Sequence, residues 1–519
     1  MIVQKGSINT TALVVPDLYV QIVSPQTLAL NGVPTNVVGV VGTAPWGPVN
    51  KPTVVGTMAD YAAAFGAIQN RTYDMGTHVA AMVQQGASSF RCVRVTDGTD
   101  TAAAGTLGAN FLTLTSKYTG SGGNAVAAYW TSGSQAGTYR LVITKPGMAS
   151  EAFDNLAGTG NALAVAAAAA VNNGITSLRA ASQIVIATAG AGTTVPSTST
   201  TTAAVTLSGG TDGATTITTA LLVGSDVTGG RTGMYALRGQ GCSIGDICDA
   251  TDSTQWSTIN AFGLAEGIYM ILAGPSGDTI ANAVTVKATA ALDSYATKLM
   301  FGDWIYWYDA ANAVTRLVSP QPFVAGRLAN LSPQTTTLNK NLYSVVGSQK
   351  AGTSADPTNT TYSQAELGVL IAAGIDVITN PGAGGLDMWT CRAGHNSSSS
   401  AVVQGDNYTR MTNYIAATLD AGMGGYCGEV INSDLLDEID ATLKTFLTNL
   451  LGQGLLGSVD GSTPFAVVCD ATNNPPARTS LGYVQADVQV QYQAINEKFI
   501  VNLEGGTTVN VTRLASAAA

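Results

Sequence analysis

The run Val37-Val38-Gly39-Val40-Val41-Gly42 contains no polar position, and a short glycine-broken stretch of this kind predicts a strand buried on both faces rather than a helix. Two prolines and a glycine in Thr43 to Asn50 then force a turn. Thr57 is placed as a helix N-cap with Asp60 three positions on, and Met58, Tyr61, Ala62 and Phe65 fall on one helical face. A second helix carries the stripe Val79, Met82 and Val83 and stops at Gly86; Phe90 to Val95 reads as a returning strand. The predicted unit is strand, helix, helix, strand.

Ahead of this unit, Ile8, Thr10, Ala12 and Val14 lie on one side of an extended segment and Asn9, Thr11 and Leu13 on the other. Such an arm is either a disordered terminus or a strand that pairs with something outside its own domain. Behind the unit, residues 97–215 are dense in Gly, Ala, Ser and Thr and read as a separate module. It has strands at Phe111 to Thr115 and Tyr139 to Ile143, a helix at Ala162 to Val171, and a Thr-rich exposed loop from Gly190 to Ala204. From Thr232 the pattern alternates again. Helices are predicted to start at Gly233 and to span Gln255 to Glu266 and Thr279 to Leu292, with strands at Cys242 to Ile247, Tyr269 to Ala273 and Trp304 to Tyr308. A proline-led turn at Ser319 enters a helix reaching Ala329, and the polar stretch Ser332 to Thr361 reads as a linker.

Near the end, Val484, Ala486, Val488, Val490, Tyr492 and Ala494 alternate with Gln485, Asp487, Gln489, Gln491 and Gln493, predicting a long strand with one wet face. The phase flips at Asn496-Glu497-Lys498, beyond which Phe499, Val501 and Leu503 form the apolar set, so a bulge or short turn is expected there. Thr507 to Leu514, with Val509 and Val511, reads as a second extended arm.

A chain of 519 residues exceeds one hydrophobic core. Charged residues make up only 11% and the formal net charge is -10, which leaves no basic field for a nucleic-acid backbone. No apolar run has the length of a membrane span, and the first residues lack a signal peptide's apolar core, so no membrane partner is expected and assembly is expected in a cytoplasm. The six cysteines are scattered, with no Cys-x-x-Cys pair and no histidine at ligand spacing; they read as small buried apolar residues, and neither metal nor cofactor is expected. So weakly charged a surface suits a protein covered by copies of itself.

Enzymatic chemistry has few footholds. Gly241-Cys242-Ser243-Ile244-Gly245 has the spacing of a hydrolase nucleophile elbow, with His395 downstream and Asp376 between. An elbow needs a strand before and a helix after, whereas here a helical stretch precedes Ser243 and a strand follows. His78 reads as a partly buried structural histidine beside Met82, and His395 as a solvated loop residue. The glycine-rich stretches at Gly274 and Gly382 lack the Lys-Ser or Lys-Thr of a phosphate loop. Asp434, Asp437 and Glu438 suit the positive end of the helix that follows them.

Several of these stretches carry a family resemblance. Gly42-Thr43-Ala44-Pro45-Trp46-Gly47-Pro48-Val49-Asn50-Lys51-Pro52, then Thr57, Ala59-Asp60-Tyr61 and Phe65-Gly66, then Phe90-Arg91-Cys92-Val93-Arg94-Val95, resemble the amino-terminal domain of contractile phage tail sheath proteins. Thr113 to Lys117 with Gly120 to Asn124, Glu151 to Asn155, and Leu207 to Gly213 are similar to the inserted domain of Mu-like phage sheaths. Glu366 to Asp376, Trp389 to Arg392, Arg410 to Ile415, Leu443 to Leu450, Gly454 to Ser458 and Phe465 to Asp470 follow in the family's order. The resemblance implies a multidomain fold of α/β and α+β type: an N-terminal arm (1–22), a mixed-sheet core in two parts (23–96 and 217–355), a β-rich inserted outer domain (97–216), an α+β C-terminal inner domain (356–503) and a C-terminal arm (504–519). It implies a non-enzymatic virion-tail subunit that polymerises with itself as hexameric rings in a helical sheath. Its further implied partners are a tail tube, baseplate and tail terminator proteins, with Asp434, Asp437 and Glu438 as candidates to face the tube. The arms, through Ile8, Thr10, Ala12, Val14, Val509 and Val511, would add strands to neighbouring subunits on the strand holding Val488, Val490 and Tyr492. The sheath of a headless bacteriocin or injection device is the alternative, and a serine hydrolase using Ser243 a distant one.

Overall fold

In the computed structural model the described residues are 2–3, 20–21, 30–176, 179–227, 229–353, 360–503 and 505–507. At the centre is a six-stranded sheet: β1 (Val38–Gly42), β2 (Thr53–Val55), β3 (Phe90–Arg94), β4 (Ile244–Ile247), β5 (Tyr269–Ala273) and β6 (Thr297–Met300). Its order is β6-β5-β4-β1-β3-β2, with five parallel strands and β2 antiparallel at the edge. Parallel strands need both faces covered, which explains why β1 is apolar throughout and fully buried. Val38 and Val40 pack with the helices Met58–Phe65, Met75–Gln84 and Gln321–Ala329, and Val37 and Val41 with Trp256–Glu266, Ile280–Thr289 and Gln364–Ala372 on the other face.

The local signals hold where they are strongest. Thr57 caps its helix with a full capping box: its hydroxyl accepts from Asp60 N at 3.2 Å while Asp60 Oδ2 accepts from Thr57 N at 2.9 Å. The helix Gln321–Ala329 crosses Met75–Gln84 at Gly326, where a Cβ would lie 2.6 Å from Met82 Cα, so only glycine allows the approach.

Between β3 and β4, residues 104–206 build two further antiparallel sheets, of three and four strands, around one core that includes Leu114, Trp130, Leu141, Phe153 and Leu163 from the helix Asn161–Asn173. The two ends of this excursion meet. Asp97 N donates to Gly213 O at 2.8 Å, and the Asp97 carboxylate accepts from Thr216 N and Thr216 Oγ1, each at 2.9 Å. The Thr99 hydroxyl, then Thr216 N and Thr99 N, hold the Asp97 carboxyl well below the usual carboxylate range. The fully buried Arg94 joins the excursion to the sheet by donating to Gly47 O, Thr119 O and Asp212 O.

Three sequence expectations are corrected. The stretch Ser332 to Thr361 is not a bare linker: Val345–Ser348 pairs with Ile305–Asp309 in a four-stranded sheet, and Thr336, Thr337 and Leu342 are buried. The helix Gln364–Ala372 packs on the central sheet through Leu367 and Leu370 instead of opening the C-terminal cluster, whose core begins at Met411. The long terminal strand is only Asp487–Val490, because its facing strand Phe465–Val468 supplies four ladder positions.

Candidate assembly surface

The C-terminal cluster is a helix pair under a short ladder. Asn432 caps the helix Ser433–Gly452 by accepting from Leu435 N at 2.8 Å, and Leu435, Ile439, Leu443, Phe446, Leu447 and Leu450 fill its buried stripe. Asp434, Asp437 and Glu438 lie exposed on the opposite side of its first turns. Against this stripe, the ladder turns Val488 and Val490 inward, half-buried, and leaves Asp487 and Gln489 in solvent, as the alternation predicts. Among the described residues each strand of this ladder has a single neighbour, so each keeps one edge without a main-chain partner.

Tyr492 continues the inward phase beyond the strand. Its ring meets Tyr408 edge-on at 5.7 Å and its hydroxyl is 3.1 Å from Thr412 Oγ1; Asn407 Nδ2 donates to Gln493 O at 3.0 Å. All three partners stand on the helix Asp406–Met423. The same helix receives the other end of the chain: Val33 N donates to Thr418 Oγ1 at 3.3 Å, and Leu30 packs so closely over Gly422 that a Cβ there would lie 2.0 Å from its methyl. One helix thus roots both arms. Past Tyr492 the apolar set Phe499, Val501 and Leu503 points outward, 67 to 92% exposed, and so does the intervening Ile500. Ile8, Thr10, Ala12, Val14, Val509 and Val511 lie outside the described residues. At the described start of the chain, Ile2–Val3 pairs in parallel with Val20–Gln21, a partner within the chain that the sequence did not signal.

A buried charge cluster that the sequence reading missed fastens this helix to the central sheet. Lys298, inside β6 and fully buried, places Nζ 2.7 Å from Asp376 Oδ2 and 3.0 Å from Asp406 Oδ1, and donates to His395 O at 2.9 Å. Tyr269 from β5 donates to Asp406 at 2.6 Å. Burial disfavours the Lys298 charge, but the two carboxylates outweigh it and raise its pKa. A lone lysine in the otherwise apolar run Leu299-Met300-Phe301 was the available signal. Near the other end of the attachment, the buried Arg410 donates to Leu331 O and Ser332 O, and burial brings its pKa down to about 10.

Neither histidine has its expected setting. His395 is nearly buried and its Nε2 lies 2.8 Å from Glu497 Oε1, pinning the segment beyond Tyr492 to the core. His78 is fully buried, with Nδ1 2.7 Å from Asp246 Oδ2 and Nε2 3.1 Å from Asp249 Oδ1. Burial acts against its charge; the carboxylates of Asp246 and Asp249 oppose burial and hold the pKa well above the histidine range. Burial pushes the Cys248 thiol itself up to about 12, so the attraction comes from the carboxylates. Ser243 donates to Val37 O at 3.1 Å, immediately precedes the strand β4, and lines a cavity of about 470 Å³ whose walls include neither histidine. That is not an elbow. Five of the cysteines are buried as expected; Cys427 is exposed.

No protein-family model matches this chain, and no curated protein sequence matches it. Solved structures do match in fold. A sheath tail protein of Listeria innocua is 13% identical with a TM-score of 0.58, covering 85% of this chain and 90% of its own. A sheath tail protein of Desulfitobacterium hafniense is 15% identical with a TM-score of 0.55, covering 87% and 93%. The contracted sheath complex of an extracellular contractile injection system is 12% identical with a TM-score of 0.54, covering 95% and 98%. At such identities the likeness shows a shared fold, and the fold is shared over nearly the whole of each chain.

Proposed function

We propose that this protein is the sheath subunit of a contractile tail-like system, polymerising with itself as stacked hexameric rings around an inner tube. The observation that carries the reading is the fold match to sheath proteins over most of both partners. The chemistry agrees with a mechanical part: buried charges are spent on joining substructures, and the weakly charged exterior suits coverage by copies.

In this reading the two arms rooted on Asp406–Met423 add strands to the free edges of the ladder Phe465–Val468 and Asp487–Val490 in neighbouring subunits, so that main-chain bonds persist while bodies rotate. Asp434, Asp437 and Glu438 face the tail tube, the excursion 97–216 lies outermost, and baseplate and terminator proteins close the ends. A virion tail resembling that of Mu-like phages is the finer form of the proposal. A headless injection device is the second reading, favoured by the fold match to such a sheath. Negative-stain microscopy of purified protein tests the assignment: tubes or six-fold rings are expected, and uniform monomers at high concentration would overturn it. DNA-filled heads on native particles separate the first reading from the second.

A further inference from the structure

The chain order of the central sheet reverses between β1 and β4: from β1 the chain proceeds to β3 on one side, and from β4 to β5 on the other. In open parallel sheets the carboxyl ends of the strands flanking such a reversal form the crevice in which ligands are bound. Here that crevice is capped by the helix Met75–Gln84, and the side chains gathered in it are His78, Asp246, Cys248 and Asp249. An imidazole nitrogen of His78, a carboxylate oxygen of Asp246 and Sγ of Cys248 all lie within 4.8 Å of one another, and all three residues are buried. The second oxygen of Asp246, Oδ1, is buried with no hydrogen-bond partner among the described residues.

We propose that this crevice is a structural site for a divalent transition metal of zinc type, with His78 Nδ1, Cys248 Sγ and both oxygens of Asp246 as ligands. The donor set of one imidazole, one thiolate and one carboxylate is that of borderline-soft cations. A bidentate Asp246 gives the orphaned Oδ1 its partner. Asp249 stays outside the coordination sphere and accepts from Nε2–H of His78, the carboxylate–histidine–metal arrangement that fixes the tautomer and orients the ring. Asp249 is itself held by Tyr73 N, which donates to its Oδ2 at 2.8 Å. The exchange balances: Nδ1–H and the thiol release two protons as one divalent cation enters, so the buried net charge does not change. Because the site is closed by the helix, the metal enters as the chain folds.

The test uses the full chain produced in zinc-supplied cells and, separately, refolded with Co2+. Roughly one metal per chain is expected, with a thiolate-to-cobalt charge-transfer band in the cobalt form. Cys248→Ser is expected to lose both, while Cys92→Ser, a buried cysteine outside the set, keeps both. Absence of stoichiometric metal from both preparations overturns the site, as does a band that survives Cys248→Ser. X-ray absorption on the wild-type metal form decides independently of whether the variants fold: one sulfur neighbour is expected, and none or several would overturn it. The assignment as a sheath subunit does not depend on the outcome.

Discussion

Lys298 Nζ and Asp376 Oδ2 stand 2.7 Å apart with neither side chain exposed, and Asp406 at the start of the helix Asp406–Met423 completes the pair. Removing the cation alone leaves two buried carboxylates whose remaining donors are neutral: Val377 N, Ala393 N and Gly394 N for Asp376, and Thr337 N, Thr337 Oγ1 and the Tyr269 hydroxyl for Asp406. Lys298→Met is therefore expected to cost about 3–5 kcal/mol in urea unfolding. A loss below about 1 kcal/mol would mean that the remaining hydrogen bonds suffice to hold both charges.

Two helical glycines are expected to respond with opposite signs. Gly326→Ala places a methyl 2.6 Å from Met82 Cα, a backbone atom that cannot swing away, and is expected to destabilise by about 1–3 kcal/mol despite the better helix former. Gly368, in the helix Gln364–Ala372, has nothing among the described residues within 4 Å of an added Cβ, so Gly368→Ala is expected to stabilise by up to about 1 kcal/mol. Thermal denaturation of both variants checks the contrast.

Glu366 closes the capping box of its helix with Ser363 and accepts from Lys350 Nζ at 2.9 Å. The Lys350 bond first, then Ser363, bring its pKa from an ordinary 4.5 down to about 2. A folded pKa below the unfolded one stabilises above the unfolded value, and that contribution is lost as pH falls from 4.5 towards 2. Glu366→Gln is expected to flatten the pH dependence of unfolding in that window. An unchanged slope would remove Glu366 from the acid response.

Truncation before Pro16, or after Gly506, removes an arm but not its root at Leu30 to Val33 or at Tyr492. Each truncated chain is expected to stay folded and soluble yet form no tubes, because a net contribution of about 1 kcal/mol per main-chain bond requires several in register. Tubes of normal length from either would reject the arm mechanism.

Replacing residues 97–216 by a short glycine linker is expected to leave the central sheet folded and polymerisation intact, since Asp97 and Gly213 are already hydrogen-bonded neighbours. Arg94 loses Thr119 O and Asp212 O but is opened to water by the same deletion. Folded chains that never form tubes would show that the excursion takes part in assembly.

Elements whose cause is local were legible in the amino-acid order. The apolar run of β1, the Thr57–Asp60 capping box, the stripe of Ser433–Gly452 and the inward phase of Val488, Val490 and Tyr492 each depend on residues a few positions apart, where periodicity and capping act. Tertiary structure alone decided what depends on residues far apart in the chain. Val345–Ser348 became a strand because Ile305–Asp309 offered it an edge, and the alternation from Val484 was cut to four residues by the length of Phe465–Val468. His78 met Asp246 and Asp249 across more than 160 positions, and Lys298 met Asp406 across 108. A charge inside an apolar strand announces that a partner must exist, because burial without one is too costly. Which residue supplies it is fixed only when the sheet order brings β4 beside β1 and the C-terminal helix onto β6.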